Sequence, residues 1–361
     1  MEYNFRNRHF TIKGQHAAAG AKVIVWLLVT MSVLFIVSCN NERKFDNSAD
    51  METTTPTATI VTTQFYQNIP SGSGIEKAPD GYFIVGDDSP FLYLIGKDFK
   101  IKDQYTLFDT SEFVNGRIPK AVKPDLESLA TLNYKGKDYL LILGSGSSGN
   151  RNKAFLVELP IVPGKPVVKE INIKHLFDTL QQDTTIVGKE LLNIEGLAVS
   201  EDKVYLLQRA LKDAPNLVLS FDLQDFCSFL FNNLPFPAPE LHFFELPMLQ
   251  NYQAGFSGAH VLDDKLFFTA SIESSPNAIL DGEVLGSFVG YIPLQDIDKA
   301  TTASKPTVIS AAKVTDQSGK AYTGKIESLV VERDEANYRI IAVSDDDQGH
   351  SEVLEIVFVV E

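Results

Sequence analysis

Cysteine is almost missing from this chain, which has 2, Cys39 and Cys227. Cys39 closes an apolar run near the N-terminus, so no disulfide can tie the folded body together. Cys227 lies in the apolar stretch LQDFCSFLF and reads as a buried, inert thiol. Bases are scarce too: 32 Lys and Arg stand against 47 Asp and Glu, a net charge of −15. Residues 1–38 contribute +3 of that balance (Arg6, Arg8, Lys13 and Lys22 against Glu2), leaving −18 on the remainder. Such an acidic body disfavours nucleic acid and anionic lipid surfaces as partners and suits calcium or other cations, or simple solubility. Histidine is equally thin. The four beyond residue 38, His175, His242, His260 and His350, show no HExxH or similar metal spacing, and His350 is set apart only by following the acids of DDDQGH. The Gly-rich loop GSGSSGNRN from Gly144 matches neither GxxxxGK[ST] nor GxGxxG, so no nucleotide role is assigned. GFSGA around Ser257 lacks the second glycine of a nucleophile elbow. Ser257 and His260 would also point to opposite faces of a strand.

There is one long apolar run, VIVWLLVTMSVLFIVS from Val23 to Ser38, of 16 residues. It is shorter than the roughly 20 residues needed to span a bilayer. With a basic start before it and a small residue at its end, it reads as a secretory signal. The tetrad Ile36-Val37-Ser38-Cys39 resembles the lipobox of bacterial lipoproteins, in which the cysteine sulfur takes a diacylglycerol and becomes the N-terminus. That resemblance implies a signal peptide over residues 1–38, palmitate-type acylation of Cys39 and a membrane anchor through lipid. It also implies a place in the cell envelope, outer membrane and periplasmic or surface-facing. Several acyl chains, at about 0.8 kcal/mol per buried methylene, anchor a protein stably. Residues 39–59, polar and Thr-rich, read as a flexible tether, and residues 60–361 as the folded domain.

That domain repeats one phrase five times: SGIEKAPDGYFIVGDDS from Ser73, ESLATLNYKGKDYLLILGSGS from Glu127, EGLAVSEDKVYLLQRA from Glu195, SGAHVLDDKLFFTAS from Ser257 and ESLVVERDEANYRIIAVSDDD from Glu327. Each copy has Glu or Ser, a small residue, an apolar strand, a polar turn and a second strand. Third strands follow, such as PFLYLIG from Pro90 and KAFLVELP from Lys153. The copies start 54, 68, 62 and 70 residues apart, longer than compact propeller blades, and the excess accommodates loops and short helices such as IKHLFDTLQQ from Ile173. The expectation is an all-β propeller of five blades, or six if one interval hides a degenerate copy. The last copy lacks an outer strand. TATIVTTQFY from Thr57 can supply it, closing the ring with strands from both termini and hiding two sheet edges.

The phrase resembles the blade signature of phytase-like and related calcium-dependent bacterial propellers, a group that includes envelope lipoproteins. The matching pieces are DLES at Asp125, NIEG at Asn193, KIES at Lys325, GDDS and SDDD. In such rings the first strand of each blade lines the channel, which would place Ser73, Glu127, Glu195, Ser257 and Glu327 in one circle. The second-strand ends would bring Asp87, Asp88, Gln208, Arg209, Asp345 and Asp346 near a channel mouth. Converging carboxylates need a cation, a base or a proton. Calcium, with its six to eight oxygen ligands, suits Glu127, Glu195, Glu327 and the aspartates. The alternative is that each Glu caps backbone N–H groups or pairs with Arg209. Arg117, Lys120 and Lys123 precede Glu127, and Arg151 follows the Gly-Ser loop. Ser73, Ser257, Arg209, Arg117 and Lys123 are the ligand-binding candidates. Two functions fit: a tethered propeller that binds a small polar ligand or an envelope protein at its mouth, or a calcium-assisted hydrolase of phosphoesters or lactones.

Overall fold

A computed structural model describes residues 56–162, 164–211, 214–274, 282–299 and 302–360. The expected signal segment, Cys39 and most of the tether lie outside the described residues. Among the described residues, no helix is long and apolar enough to cross a membrane.

The protein is mostly β. Among the described residues it opens with β1 (Thr57–Tyr66) and continues into five units of sheet. The first holds β2 (Gly72–Ala78), β3 (Gly81–Gly86), β4 (Phe91–Gly96) and β5 (Ile101–Thr106). The second holds β6 (Leu126–Tyr134), β7 (Lys137–Gly144), β8 (Lys153–Glu158) and β9 (Val168–Asn172). The third holds β10 (Ile194–Val199), β11 (Lys203–Gln208), β12 (Asn216–Asp222) and β13 (Glu240–Glu245). A small hairpin of β14 (Met248–Leu249) and β15 (Tyr252–Gln253) leads to the fourth unit. That unit holds β16 (Gly255–Leu262), β17 (Lys265–Glu273), β18 (Val284–Pro293) and, after β19 (Thr307–Val308), which pairs in parallel with β13 as a fifth strand of the third sheet, β20 (Ala311–Thr315). The fifth holds β21 (Lys325–Asp334), β22 (Asn337–Asp345) and β23 (Ser351–Val359), and β1 pairs antiparallel with β23 along its whole length. β1 also meets β20 in parallel at Ala58↔Val314, which fuses the last two units into one eight-stranded sheet.

The five units pack through five apolar cores, each between successive sheets. One core joins the fifth unit to the first through Val343 and Val353 against Ile75, Ile84 and Tyr93. Their side chains alternate with the strand period, so each sheet buries both faces. Removing one fully buried ring, Phe267 for example, would cost about 3–5 kcal/mol. Ser351 stitches the same seam: its Oγ accepts from Gly72 N at 2.7 Å and donates to Ile69 O at 2.8 Å.

The small residue of each phrase has a steric cause. A Cβ on Gly258 would lie 2.5 Å from Ser328 Cα, and one on Gly74 would lie 2.4 Å from Leu129 Cδ2. At Gly74 and Gly258 the first strands of neighbouring units therefore approach too closely for a side chain, whereas Ser128 and Ser328 fit at the equivalent positions of their units. The connections carry short helices: α1 (Lys174–Gln182), α2 (Thr184–Val187), α3 (Leu223–Asn232) and α4 (Leu294–Ile297). The first coincides with the expected IKHLFDTLQQ segment. LQDFCSFLF forms α3, capped by the Asp222 carboxylate accepting from Asp225 N, with Phe226, Cys227 and Leu230 turned inward. Burial pushes the Cys227 thiol up to about 11, which keeps it an inert core residue.

Candidate functional site

Each first strand contains one β-bulge, and the bulge falls at the same place in all five units. Pairing skips between Gly72 and Gly74, Leu126 and Ser128, Ile194 and Gly196, Phe256 and Gly258, and Ile326 and Ser328. The residues left out of the ladder are Ser73, Glu127, Glu195, Ser257 and Glu327. A bulge re-aims the extra side chain. These five divide by chemistry. Ser73 Oγ donates to Leu126 O, and Ser257 Oγ donates to Ile326 O at 2.6 Å, so both serines fasten one unit to the bulge of another. Glu127, Glu195 and Glu327 line a cavity of about 460 Å³.

Eight carboxylates and five basic side chains line that cavity. One flank is well paired. Lys123 bridges Asp87 and, at 2.9 Å, Asp125; Arg151 meets Asp125 at 2.7 Å, and Ser145 Oγ donates to it at 2.5 Å. Burial alone would raise Asp125, but Lys123 and Arg151 more than offset it and hold this carboxyl below its ordinary range. Opposite, Lys325 meets Glu327 at 2.8 Å and Glu273 at 3.5 Å, while Arg209 meets Glu273 at 2.7 Å and Glu195 at 3.5 Å. Asn193 Nδ2 donates to Glu195 at 2.6 Å. Despite burial, Lys325 and Arg209 pull Glu273 down to about 2. Arg117 holds Asp88 and reaches Ser71 Oγ at 3.1 Å.

Four acids stay under-compensated, two of them despite a basic neighbour. Glu127 is buried, and no hydrogen bond or ion pair engages its side chain among the described residues. Burial, reinforced by Asp125, Glu195, Asp87 and Glu327, pushes it well above the carboxylate range. Burial also raises Glu327 strongly, against the pull of Lys325. Asp87 rises to about 6 through burial despite Lys123, and Asp345 to about 7 through burial and Asp87. Among the described residues, Asp87 Oδ1, Asp88 Oδ1 and Glu327 Oε2 are buried acceptors without a hydrogen-bond partner. Unfilled acceptors of this kind call for a proton, a cation or a donor. Asp87, Asp125 and Glu127 offer carboxylate oxygens within 4.8 Å of one another, close enough for one metal ion. The Lys123 ammonium already occupies two of the three, so an ion held there shares or displaces it. A second such group, Glu240, His242 and Asp298, lies apart, with Lys203 on Glu240 at 2.8 Å and Asp298 at 3.5 Å.

Residues 68–358 match a family of unknown function, DUF6929. The chain belongs to that family. No curated protein matches it. Among solved structures it is similar to the Myxococcus xanthus glutaminyl cyclase, at 11% identity and a TM-score of 0.46 over 86% of this chain and 100% of the other. It is also similar to a Cellvibrio cellulosa α-L-arabinanase mutant, at 11% identity and a TM-score of 0.45 over 81% and 92% of the two chains. The native Bacillus subtilis arabinanase aligns at 8% identity and a TM-score of 0.44 over 81% and 96%.

Of the residues singled out in the sequence, Glu127, Glu195, Glu327, Asp87, Asp88, Asp345, Arg117 and Lys123 meet at this DUF6929 cavity. Arg209 stands behind it, holding Glu195 and Glu273. Ser73 and Ser257 do not line it, because their hydroxyls are spent on neighbouring carbonyls. Asp346 does not line it either: its carboxylate caps Gln348 N and His350 N and meets His350 Nδ1 at 2.7 Å. Asp125, Asn193 and Lys325 sit two positions before the three bulge glutamates. Asp125 and Asn193 stand just before β6 and β10 and Lys325 opens β21, so all three line the cavity beside their glutamates, and the shared spacing is readable in D-L-E, N-I-E and K-I-E. Glu273, at the end of β17 beyond the repeated phrase, carried no such signal.

Proposed function

We propose that this DUF6929 protein is a lipid-anchored envelope protein whose five units are the blades of a ring closed by β1, and whose channel mouth binds a small polar ligand or partner that brings positive charge or hydrogen-bond donors. The observation that carries this reading is the group of under-compensated carboxyls, Glu127, Glu327 and Asp87, around one open cavity. Calcium is the candidate ion, shared between the Glu127 side of the mouth and whatever ligand completes its coordination. Glu195 has a structural part, since Arg209 and Asn193 already hold it.

Thermal melts of the full chain test this, with excess calcium, magnesium or chelator. Calcium should raise the melting temperature, by an amount matching about 2.7 kcal/mol at a hundredfold excess over Kd, and Glu127→Gln with Glu327→Gln should remove the response. A wild-type melt indifferent to calcium and chelator rejects the ion. The anchor is tested separately: Cys39→Ser should leave the protein unprocessed or released from membranes. Full membrane partition with a diacylglyceryl group still attached would reject the lipoprotein reading.

A second reading, calcium-assisted hydrolysis of phosphoesters or lactones, is favoured by one specific feature. Asp125 is held low while Glu127, two residues on, is pushed high, the division that lets one carboxylate act as base and its neighbour as acid. Turnover of a phosphoester or lactone that is lost in Glu127→Gln would select this reading over simple binding.

A further inference from the structure

Beside the charged mouth lies a second cleft, of about 780 Å³, with a different chemistry. Three aromatic side chains, Phe91, Tyr93 and Phe113, form one part of its wall. Phe113 meets Phe91 edge-on at 5.3 Å, and the buried Tyr93 backs Phe91 edge-on at 6.1 Å, so Phe91 and Phe113 make one braced surface. The Tyr93 hydroxyl is tied to Ser89 Oγ at 3.0 Å.

Five carboxamides, Gln67, Asn68, Gln104, Asn115 and Gln348, share the rest of the wall with Arg117 and His350. They come from separate stretches of chain, and among the described residues none of their side-chain amides is engaged in a hydrogen bond. Asn115 is held at the tip of a tight turn, where it and Gly116 take positive φ of 54° and 82° and Val114 and Arg117 pair backbone to backbone. No carboxylate lines this cleft. Arg117, which it shares with the mouth, is already engaged by Asp88 and Ser71.

We propose that this cleft binds a neutral, hydroxyl-rich ligand, namely an oligosaccharide. A carboxamide offers donors and an acceptor side by side, matching a hydroxyl group that is itself both. A sugar ring presents an apolar C–H face, which packs on an aromatic surface, and a polar rim, which reaches planar hydrogen-bonding groups. The two basic side chains of the wall, Arg117 and His350, are each already paired with an aspartate, Asp88 and Asp346, so a charged ligand gains nothing there that the neighbouring mouth does not offer more strongly. The cleft's occupant is thus distinct from the mouth's ligand, and the proposal stands whether or not calcium binds at Glu127.

The test is calorimetric titration of the full chain, kept in a detergent without a sugar headgroup, with five neutral pentasaccharides: malto-, cello-, xylo-, 1,5-arabino- and chitopentaose. At least one should bind. Gln348→Ala should weaken that binding about two- to tenfold through one lost pair of hydrogen bonds. Phe113→Ala should weaken it about tenfold through the lost aromatic surface. Gln348 is exposed, so its truncation leaves the packing intact and separates contact from folding. Failure of all five sugars to bind, or binding that survives both substitutions, overturns the proposal.

Discussion

The charged mouth and the amide-lined cleft share Arg117 and almost nothing else. The mouth is built from strand ends and bulges of several units, and its ionised groups depend on one another inside a buried site. The cleft is built from loops, from β4 and β5, and from exposed amides that no other group relies on. Charge density in a desolvated place makes the first region a stability element as much as a binding site. The second can vary in residue without disturbing the fold. On the proposed roles, ligand selectivity and structural cohesion would therefore be coupled at the mouth and uncoupled at the cleft.

The largest expected effect tests the mouth's cohesion. Lys123→Met leaves Asp87 and Asp125 without their shared ammonium and should lower stability by about 3–5 kcal/mol at neutral pH, measured by urea unfolding. An intermediate effect is expected where the regions join. Gly349 has a φ of 93°, and a Cβ there would lie 2.7 Å from Arg117 Cδ. Gly349→Ala should cost about 1–3 kcal/mol and loosen Arg117 from Asp88. Gln348→Ala, in the cleft wall, should stay within about 0.5 kcal/mol of wild type in the same assay. Equal costs for Lys123→Met and Gln348→Ala would erase the distinction between the regions.

Much of the mouth was legible in the sequence because repetition fixes register. Five copies of one phrase put Glu127, Glu195 and Glu327 at equivalent positions, and the bulges turn that equivalence into a shared direction. What repetition did not reveal was the different use of the same position: Ser73 and Ser257 are short enough to reach a neighbour's carbonyl, whereas glutamate extends past it. Asp346 looked like a mouth residue by adjacency to Asp345, but the chain turns between them and the carboxylate caps its own loop. The cations that balance the acids come from outside the phrase's acidic ends. Lys123 and Lys325 precede their glutamates, and Arg209 pairs across units with Glu273, a contact that only the packed sheets bring about. The cleft was not legible at all. Gln67, Gln104, Asn115 and Gln348 lie far apart along the chain, and single carboxamides carry no spacing that marks a site.

The central claim is that the mouth holds carboxyls the fold cannot fully compensate, and the pH dependence of stability tests it most directly. Glu127 and Glu327 are raised well above the ordinary range, and Asp87 and Asp345 to about 6 and 7, so the folded state keeps protons that the unfolded chain releases near pH 4. Their contribution is present below about pH 4 and is lost as pH rises toward about 7 and beyond. Asp125 and Glu273 act in the opposite sense, but lose their contribution only as pH falls below the ordinary carboxylate range. Melting temperature measured in calcium-free buffer should therefore fall between pH 5 and pH 8 in the wild type. It should fall less in the Glu127→Gln, Glu327→Gln variant, which should be the more stable protein at pH 8. Parallel profiles for the two proteins, or a variant less stable than wild type at pH 8, would contradict the account.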